Sequence, residues 1–257
     1  EDEEVWHRVN PGMRHGYPSL SGMRKHANRA IRSSGERTSF KQLKRNIWQD
    51  ASTDPFVEMD VYDEGAKRPV NLDVLEESPC WLAVDLSSTT DLSVIVACWR
   101  DADGYVVHPW FFCPEDRVSQ DDGSDMEGDE DDVSAREVAS GAPYRDWKER
   151  GLITATPGNV IDYGAVTSQL VEICERFNVQ EIAFDPARAQ QVKSACMDMG
   201  LPVVDFRQTP LLMMPAITEL ERAILGGEFK HGGHEVLRHN FANVVVKRND
   251  LGHVVRF

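Results

Sequence analysis

The chain has 257 residues, 41% of them hydrophobic, which is typical of a globular protein with a sizeable core. Its formal net charge of −15 argues, taken alone, against a nucleic-acid partner. No stretch approaches the ~20 apolar residues that a membrane-spanning helix needs, and the acidic start EDEEVWHRVN is unlike a signal peptide, so we expect neither.

The first 78 residues are predicted to form a lead-in without a complete core of its own. SLSGMRKHANRAIRSSG and RTSFKQLKRNIWQDA carry apolar residues at helical spacing, so each predicts an amphipathic helix. Residues 8 to 45 are also strongly basic, with ten basic residues and one acidic residue. Irregular chain containing three prolines follows.

From Cys80 the pattern changes to strands. Leu82–Leu86, Leu92–Trp99 and Tyr105–Phe112 predict three successive strands, and RDADG between the second and third predicts a hairpin turn.

An acidic segment follows the third predicted strand. Between Glu115 and Asp132, ten acidic residues accompany one basic residue, so this segment carries −9 of the net −15. It has no apolar periodicity, which predicts a disordered insertion at about residues 114–140.

Helices and strands alternate after the insertion. APYRDWKERGLI predicts a short helix and the start of a strand, and a helix capped by Asp162 follows. The strand EIAFDP, a helix ending at Gly200, the strand LPVVDFRQ and a helix ending at Gly226 come next. HEVLRHNFAN predicts a short helix, and VVVKRNDLGHVVRF a final hairpin. A meander followed by such units predicts an α/β fold whose mixed sheet is flanked by helices.

Two aspartates stand where predicted strands end. Asp85 ends the first strand and Asp185 ends EIAFDP, so their carboxylates lie side by side if those strands are neighbours. Adjacent carboxylates repel, and a divalent cation such as Mg²⁺ or Mn²⁺ removes the conflict. Two such ions about 4 Å apart can hydrolyse a phosphodiester. Asp91, at the start of the second strand, is expected to lie at the same edge of the sheet. A turn or a helix cap is the competing structural role for each aspartate.

Five stretches resemble the C-terminal nuclease domain of the large terminase subunit of tailed bacteriophages: AVDLSSTTDLSVIVACW, WKERGLITATPGNVIDYGAV, RFNVQEIAFDPARAQQV, GLPVVDFRQTPLLMMPAITELERAILGGEFKHGG and VLRHNFANVVV. WHRVNPGMRHGYPS and FKQLKRNIWQDA resemble the segment that joins the packaging motor to the nuclease. The resemblance implies an RNase H-like fold, with residues 1–78 as a lead-in from a missing ATPase motor and 79–257 as the nuclease domain.

The same resemblance implies a metal-dependent endonuclease that cuts concatemeric double-stranded phage DNA. It implies Asp85 and Asp185 as ligands of two Mg²⁺ or Mn²⁺ ions, with Asp91 as an auxiliary ligand. The full-length protein is then expected to work with a portal protein and a terminase small subunit, in the cytoplasm of an infected bacterial host and away from membranes.

The chain departs from the family pattern in two respects. It contains no G-x-x-x-x-G-K-[ST] phosphate loop, so we expect no ATPase activity from it. The resemblance implies a third acidic ligand in a helix after the last hairpin, which is expected beyond Phe257, and Asp250 is not equated with it because it stands in a predicted hairpin turn. A catalytically silent module that binds DNA or the portal therefore stays open as an alternative.

A further alternative comes from a different enzyme class. DLSSTTD also resembles the first phosphate loop of sugar kinases and actin-like ATPases. Those proteins need a second glycine-rich loop, and FDPARA and VDFRQT lack the glycines.

Several basic and metal-binding side chains are weaker candidates. Arg188 and Lys193, in the helix after Asp185, are predicted to approach phosphates, whereas Lys247 and Arg248 are weaker DNA contacts. Three histidines are predicted to have surface or loop roles rather than to bind zinc: His231, His234 and His239. Five widely spaced cysteines without a C-x-x-C motif predict reduced thiols.

Overall fold

The structure is a computed structural model. It describes residues 3–32, 40, 41, 43–46, 55–87, 91–119, 142–186, 189–248 and 254–256. The strands are β1 Cys80–Asp85, β2 Ser93–Asp101, β3 Gly104–Pro114, β4 Ile153–Thr156, β5 Val179–Phe184, β6 Val203–Asp205, β7 Phe229–Lys230, β8 Lys247–Arg248 and β9 Val254–Arg256. The helices are α1 Glu3–Val9, α2 Leu20–Arg32, α3 Met59–Tyr62, α4 Glu115–Ser119, α5 Tyr144–Glu149, α6 Tyr163–Arg176, α7 Gln190–Asp198, α8 Pro210–Leu225 and α9 Glu235–Ala242.

Within the described residues, seven strands form one mixed sheet. Its order is β4-β3-β2-β1-β5-β6, and β7 pairs with β3 outside that path. The meander β1-β2-β3 is antiparallel, whereas β5 is parallel to β1 and β6 is parallel to β5. β8 and β9 form a separate hairpin. This is the mixed α/β sheet that the sequence predicts.

Alternation along β1 divides the sheet into a covered face and an open face. Leu82 and Val84 point to one face and are buried, while Ala83 and Asp85 point to the other and are exposed. The buried face packs against one stripe of α6 and one of α7, made of Val166, Leu170, Ile173, Val192 and Cys196. The main core therefore lies on the face opposite to Asp85.

Residues 55–75 pack on the same unit as the sheet. Phe56, Val57 and Tyr62 form a second cluster with Ile217 and Ile224 of α8. Val70, Leu72 and Leu75 pack against the main core. The division into 1–78 and 79–257 stays a prediction, and the structure adds that the second half of that lead-in contributes side chains to the cores around the sheet.

The first part of the lead-in has its own small cluster. It contains six buried residues: Trp6, Met13, Met23, Ala27, Ala30 and Phe40. The first helix predicted there is α2, and of the second one residues 40, 41 and 43–45 are helical while most of its remainder lies outside the described residues. The lead-in therefore contains more local packing than its composition led us to expect.

The first residues of the predicted acidic insertion are helical. Residues 115–119, expected inside the insertion, form α4, and Val118 is buried beside Trp147. Lys148 donates to Glu115 across 2.6 Å. Residues 115–119 are therefore ordered where the sequence predicted disorder, because the buried Val118 anchors this helix. Residues 120–141 lie outside the described residues.

Candidate functional site

The register of β1 and β5 brings the ends of these two parallel strands together. Ala83 pairs with Ala183, and Val84 pairs with Phe184. Asp85 and Asp185 each follow the last pair between β1 and β5, so they stand at neighbouring positions at one edge of the sheet. Neighbouring strands lie about 4.8 Å apart, which is a spacing at which one cation can contact side chains from both.

A small pocket joins the two aspartates. Its volume is about 150 Å³, and its lining residues are Ala83, Val84, Asp85, Val94, Val96, Ala183, Phe184, Asp185, Phe206 and Gln208. Small or β-branched residues of three adjacent strands form its floor. Both carboxylate-bearing residues therefore border the same cavity on the open face of the sheet.

The sequence places the aspartates on this face by strand alternation. Val84 and Phe184 are buried in the main core, so each following residue turns to the opposite face. Asp85 is exposed and Asp185 is half-buried. Asp185 is followed by Pro186, while helix α7 begins only at Gln190 with Ala189 at its N-cap position. The expected competing role of Asp185 as the cap of that helix is therefore not what the structure shows.

Asp91 is not among the residues that line the pocket. It is exposed and comes two residues before β2, which begins at Ser93. β2 pairs antiparallel with β1, and Val94 is the partner of Asp85. The structure thus brings Asp85 and Asp185 to one cavity and does not bring Asp91 into its lining.

Phe206 and Gln208 line the pocket and are absent from the sequence-based candidates. β6 pairs with β5 so that Asp205 is opposite Phe184, and Phe206 therefore stands beside Asp185. The backbone N–H of Phe206 donates to the carbonyl of Phe184 across 2.8 Å. The signal was present in VVDFRQ, because residues just after a parallel strand collect at the same edge of the sheet.

The structure describes three of the four predicted DNA-contacting residues. Lys193 lies in α7, and its ammonium group pairs with the carboxylate of Asp205. Only 16% of the Lys193 side chain is exposed, so it is engaged within the protein. Arg188 lies outside the described residues, and Lys247 and Arg248 form the short strand β8. DNA contact by these four residues stays a prediction.

His231 lies in the loop between β7 and α9, which agrees with a predicted loop role, but it is buried and not on the surface. Its side chain is 2% exposed, its Nε2 lies 2.9 Å from the carbonyl oxygen of Tyr62, and its ring stacks on the Tyr62 ring. Burial lowers the pKa of His231. His234 caps α9, where its Nδ1 accepts from the backbone N–H of Leu237, and burial lowers its pKa as well. These histidines fix local structure around α9.

The chemistry of the pocket is that of oxygen ligands. Carboxylate oxygens suit hard divalent cations such as Mg²⁺ and Mn²⁺, so Asp85 and Asp185 fit one such ion as a partial ligand set. Among the residues that the structure describes, no three or more His, Cys, Asp or Glu side chains form a group that could hold a metal ion. The five cysteines are free thiols, as the sequence predicts.

The mixed strand order, with an antiparallel meander beside two parallel strands, is that of an RNase H-like fold. The model of the family "Terminase large subunit, endonuclease domain" matches residues 1–256. The chain belongs to this family.

The chain is similar to two curated relatives and to one solved structure over most of its length. The large terminase subunit of Enterobacteria phage HK97 is 29% identical over 253 residues, covering 97% of this chain and 46% of that protein. Protein YmfN of Escherichia coli strain K12 is 29% identical over 213 residues, covering 81% of this chain and 44% of that protein. The crystal structure of the HK97 large terminase superposes with a TM-score of 0.65 at 27% identity, covering 98% of this chain and 49% of that chain. The chain thus spans about half the length of these relatives.

None of the helices that the structure describes is long and apolar enough to span a membrane.

Proposed function

We propose that this chain is a metal-dependent endonuclease that hydrolyses phosphodiester bonds of double-stranded DNA during viral genome packaging. One observation carries the proposal: Asp85 and Asp185 end adjacent parallel strands and border one pocket. Membership in the terminase nuclease family supports DNA as the substrate. The pocket lies on the open face of the sheet, so a duplex can approach it.

The carboxylates are proposed to hold the metal while their neighbours shape the pocket. The rigid pairing of β1 with both β2 and β5 fixes the backbone beneath Asp85 and limits how far the two side chains can separate. Gln208 offers an amide donor for a phosphate oxygen at the pocket wall. When bound, divalent cations, of which we propose two, would supply an activated water and a counter-charge for the leaving oxygen.

Plasmid cleavage in Mn²⁺ tests the proposal. The parent chain should convert supercoiled plasmid to open-circular and linear forms, and chelation by EDTA should stop the conversion. Asp85→Asn and Asp185→Asn remove a ligand charge with little change of shape, and each should lower the cleavage rate by at least about a hundredfold. Equal cleavage by parent and variants would reject the assignment.

A second candidate is a catalytically silent module that binds DNA or the portal. It is favoured by the finding that the described residues contribute two carboxylates to the pocket and no larger metal-binding group. Calorimetry with Mn²⁺ separates the two functions. Binding that is lost in Asp85→Asn supports the nuclease and its stoichiometry counts the ions, whereas absence of binding together with absence of cleavage supports the silent module.

We further propose that the domain works within a longer packaging protein. An ATPase motor in that protein, a portal protein and a terminase small subunit would then deliver concatemeric DNA to this pocket, in the cytoplasm of an infected bacterial host. ATPase activity is not expected from this chain, because its sequence lacks a phosphate loop. An ATP-hydrolysis assay on the chain should therefore give only background rates.

A further inference from the structure

Helix α2 has two chemically different faces. Leu20, Met23, Ala27 and Ala30 recur at helical spacing and pack into the small N-terminal cluster. Met23 is completely buried there. The opposite side of the helix is held outward by this packing, so its side chains are presented to solvent in a fixed order.

The outward face is polar and basic along its whole length. Its residues recur at positions i, i+3, i+4, i+7 and i+8 and line a broad concave surface: Ser21, Arg24, Lys25, Asn28 and Arg29. All five are exposed. Every residue of this face can donate a hydrogen bond, and three of them carry a positive charge. We call these five residues the α2 basic face.

The three charges of the α2 basic face are not equivalent. Arg24 is engaged by Glu3, which accepts from its guanidinium at 2.6 and 2.9 Å. This pair ties α1 to α2. In the described part of the chain, no carboxylate forms an ion pair with Lys25 or Arg29. These two residues are one helical turn apart, which separates them by about 6 Å along the helix axis.

We propose that the α2 basic face binds the phosphate backbone of double-stranded DNA, at a surface separate from the carboxylate pocket. Lys25 and Arg29 would contact successive phosphates, and Ser21 and Asn28 would donate hydrogen bonds to phosphate oxygens. The inference goes beyond the proposed endonuclease function, because it requires neither Asp85 nor Asp185.

The composition of the face favours DNA over a protein partner. Protein interfaces bury an apolar centre surrounded by a polar rim, and aromatic residues are enriched in them. The α2 basic face contains no apolar residue, whereas Lys, Arg, Ser and Asn are the side chains that contact phosphates and sugars. Such contacts fix position without reading sequence, so this face should bind DNA of any sequence.

The distribution of charge along the chain also favours DNA as the partner of this face. Residues 5–46 contain ten basic residues and one acidic residue, in a chain whose net charge is −15. The remainder of the chain is therefore strongly negative and repels a polyanion. A duplex that approaches the protein is consequently drawn to the N-terminal segment, where α2 displays its charges outward.

Binding of a short fluorescent duplex of arbitrary sequence, measured by anisotropy at several salt concentrations without divalent metal, tests the inference. The double variant Lys25→Ala/Arg29→Ala should bind at least tenfold more weakly at about 50 mM salt. Its plot of log K against log salt should be shallower by about 2, since each lost phosphate contact removes ~0.9 from the slope. Lys67→Ala/Arg68→Ala is the matched control, because it removes two exposed charges elsewhere and should leave the slope unchanged.

The outcomes are separable from those of the nuclease test. An unchanged slope for Lys25→Ala/Arg29→Ala, or a slope equal to that of the control, overturns the inference. Equal competition by DNA and polyglutamate would also overturn it, because it would show a general acidic-protein site. If the double variant Asp85→Asn/Asp185→Asn gives the same slope of log K against log salt as the parent, DNA binding by the α2 basic face is supported even when cleavage is absent.

Discussion

Asp91 stands six residues after Asp85 in the chain, yet only Asp85 borders the pocket with Asp185. The two residues differ in their position relative to the ladder of β1 and β2. Asp85 is fixed by ladder pairing with Val94, whereas Asp91 precedes the first paired residue of β2. Asp85 and Asp185 line the pocket, whereas Asp91 is exposed and is not among its lining residues.

Substitution of Asp91 should therefore lower the cleavage rate much less than substitution of Asp85. Asp91→Asn is expected to reduce Mn²⁺-dependent plasmid cleavage by no more than a few-fold, against the ~100-fold or greater loss expected for Asp85→Asn. Initial cleavage rates of the two variants, measured side by side, check the difference. Equal losses would show that Asp91 reaches the metal when DNA is bound.

His108 shows how burial sets the charge of a single residue. It lies in β3 with its ring 4.7 Å from that of Trp110 and 6.1 Å from that of His234, measured between centroids. Burial is the largest cause and His234 and Arg176 add to it, so that together they lower the pKa of His108 to about 4. The folded state therefore holds His108 neutral.

Acidification should destabilise the protein through this residue. The unfolded chain binds a proton at His108 near pH 6.5 and the folded chain only near pH 4, so the contribution is fully present above pH 6.5 and is lost as the pH falls toward 4. The loss is at most roughly 3 kcal/mol at pH 4. Urea midpoints at several pH values should show a smaller pH dependence for His108→Gln than for the parent. Exposed His26→Gln is the control, and a parent-like pH dependence in His108→Gln would contradict the assignment.

At the scale of elements, α6 connects the sequence pattern to the core most directly. Asp162 precedes the helix and accepts from the backbone N–H of Gly164 across 2.7 Å. Val166, Leu170 and Ile173 then recur on one face and are buried against the sheet. The cap and the apolar period are both local features, and for this reason the sequence predicted this helix and its start.

Loss of the cap should lower global stability without affecting the site. Asp162→Ala leaves helix donors at the start of α6 without a partner, which costs about 1 kcal/mol of unfolding free energy. Asp162→Asn keeps an acceptor oxygen and should recover most of that loss. Urea denaturation of the parent and the two variants measures the difference, and identical midpoints for all three would mean that the cap contributes nothing.

Features that depend on distant partners were harder to predict than α6. The pairing of β7 with β3 joins residues 229–230 to 105–106, and no local pattern marks a two-residue strand. Likewise, Phe206 and Gln208 belong to the pocket only because β6 pairs with β5 in a particular register. The positions of Asp85 and Asp185 were easier to predict, because each ends an apolar strand and residues at the carboxyl ends of parallel strands collect at one edge of the sheet.

The same distinction explains the errors of prediction. His231 stands among glycines and polar residues, HGGH, which is typical of an exposed loop. The aromatic residue that buries it, Tyr62, is more than a hundred residues away in the chain. Val118 was missed for a related reason, because one apolar residue in an acidic run has no periodicity, and its burial depends on Trp147.

At the scale of the whole molecule, charge is strongly segregated along the chain. The basic segment, residues 5–46, contains α2, whereas residues 121–134 hold eight acidic residues and no basic ones. Negative charge on the same molecule competes with DNA for basic groups and repels the DNA backbone. The segregation thus opposes DNA binding in one part of the chain and favours it in another.

Removal of the acidic residues should consequently raise DNA affinity. Deletion of 121–134 would change the formal net charge from −15 to −7 while keeping α4, whose Val118 is buried. We expect the affinity for a short duplex to rise roughly three- to tenfold at about 50 mM salt and the difference to shrink at higher salt, because screening shortens the reach of these charges. A matched variant keeps the length and replaces the eight acids by Asn and Gln. Equal gains in both variants identify charge as the cause, a gain only in the deletion identifies steric hindrance, and unchanged affinity in both would reject the repulsion argument.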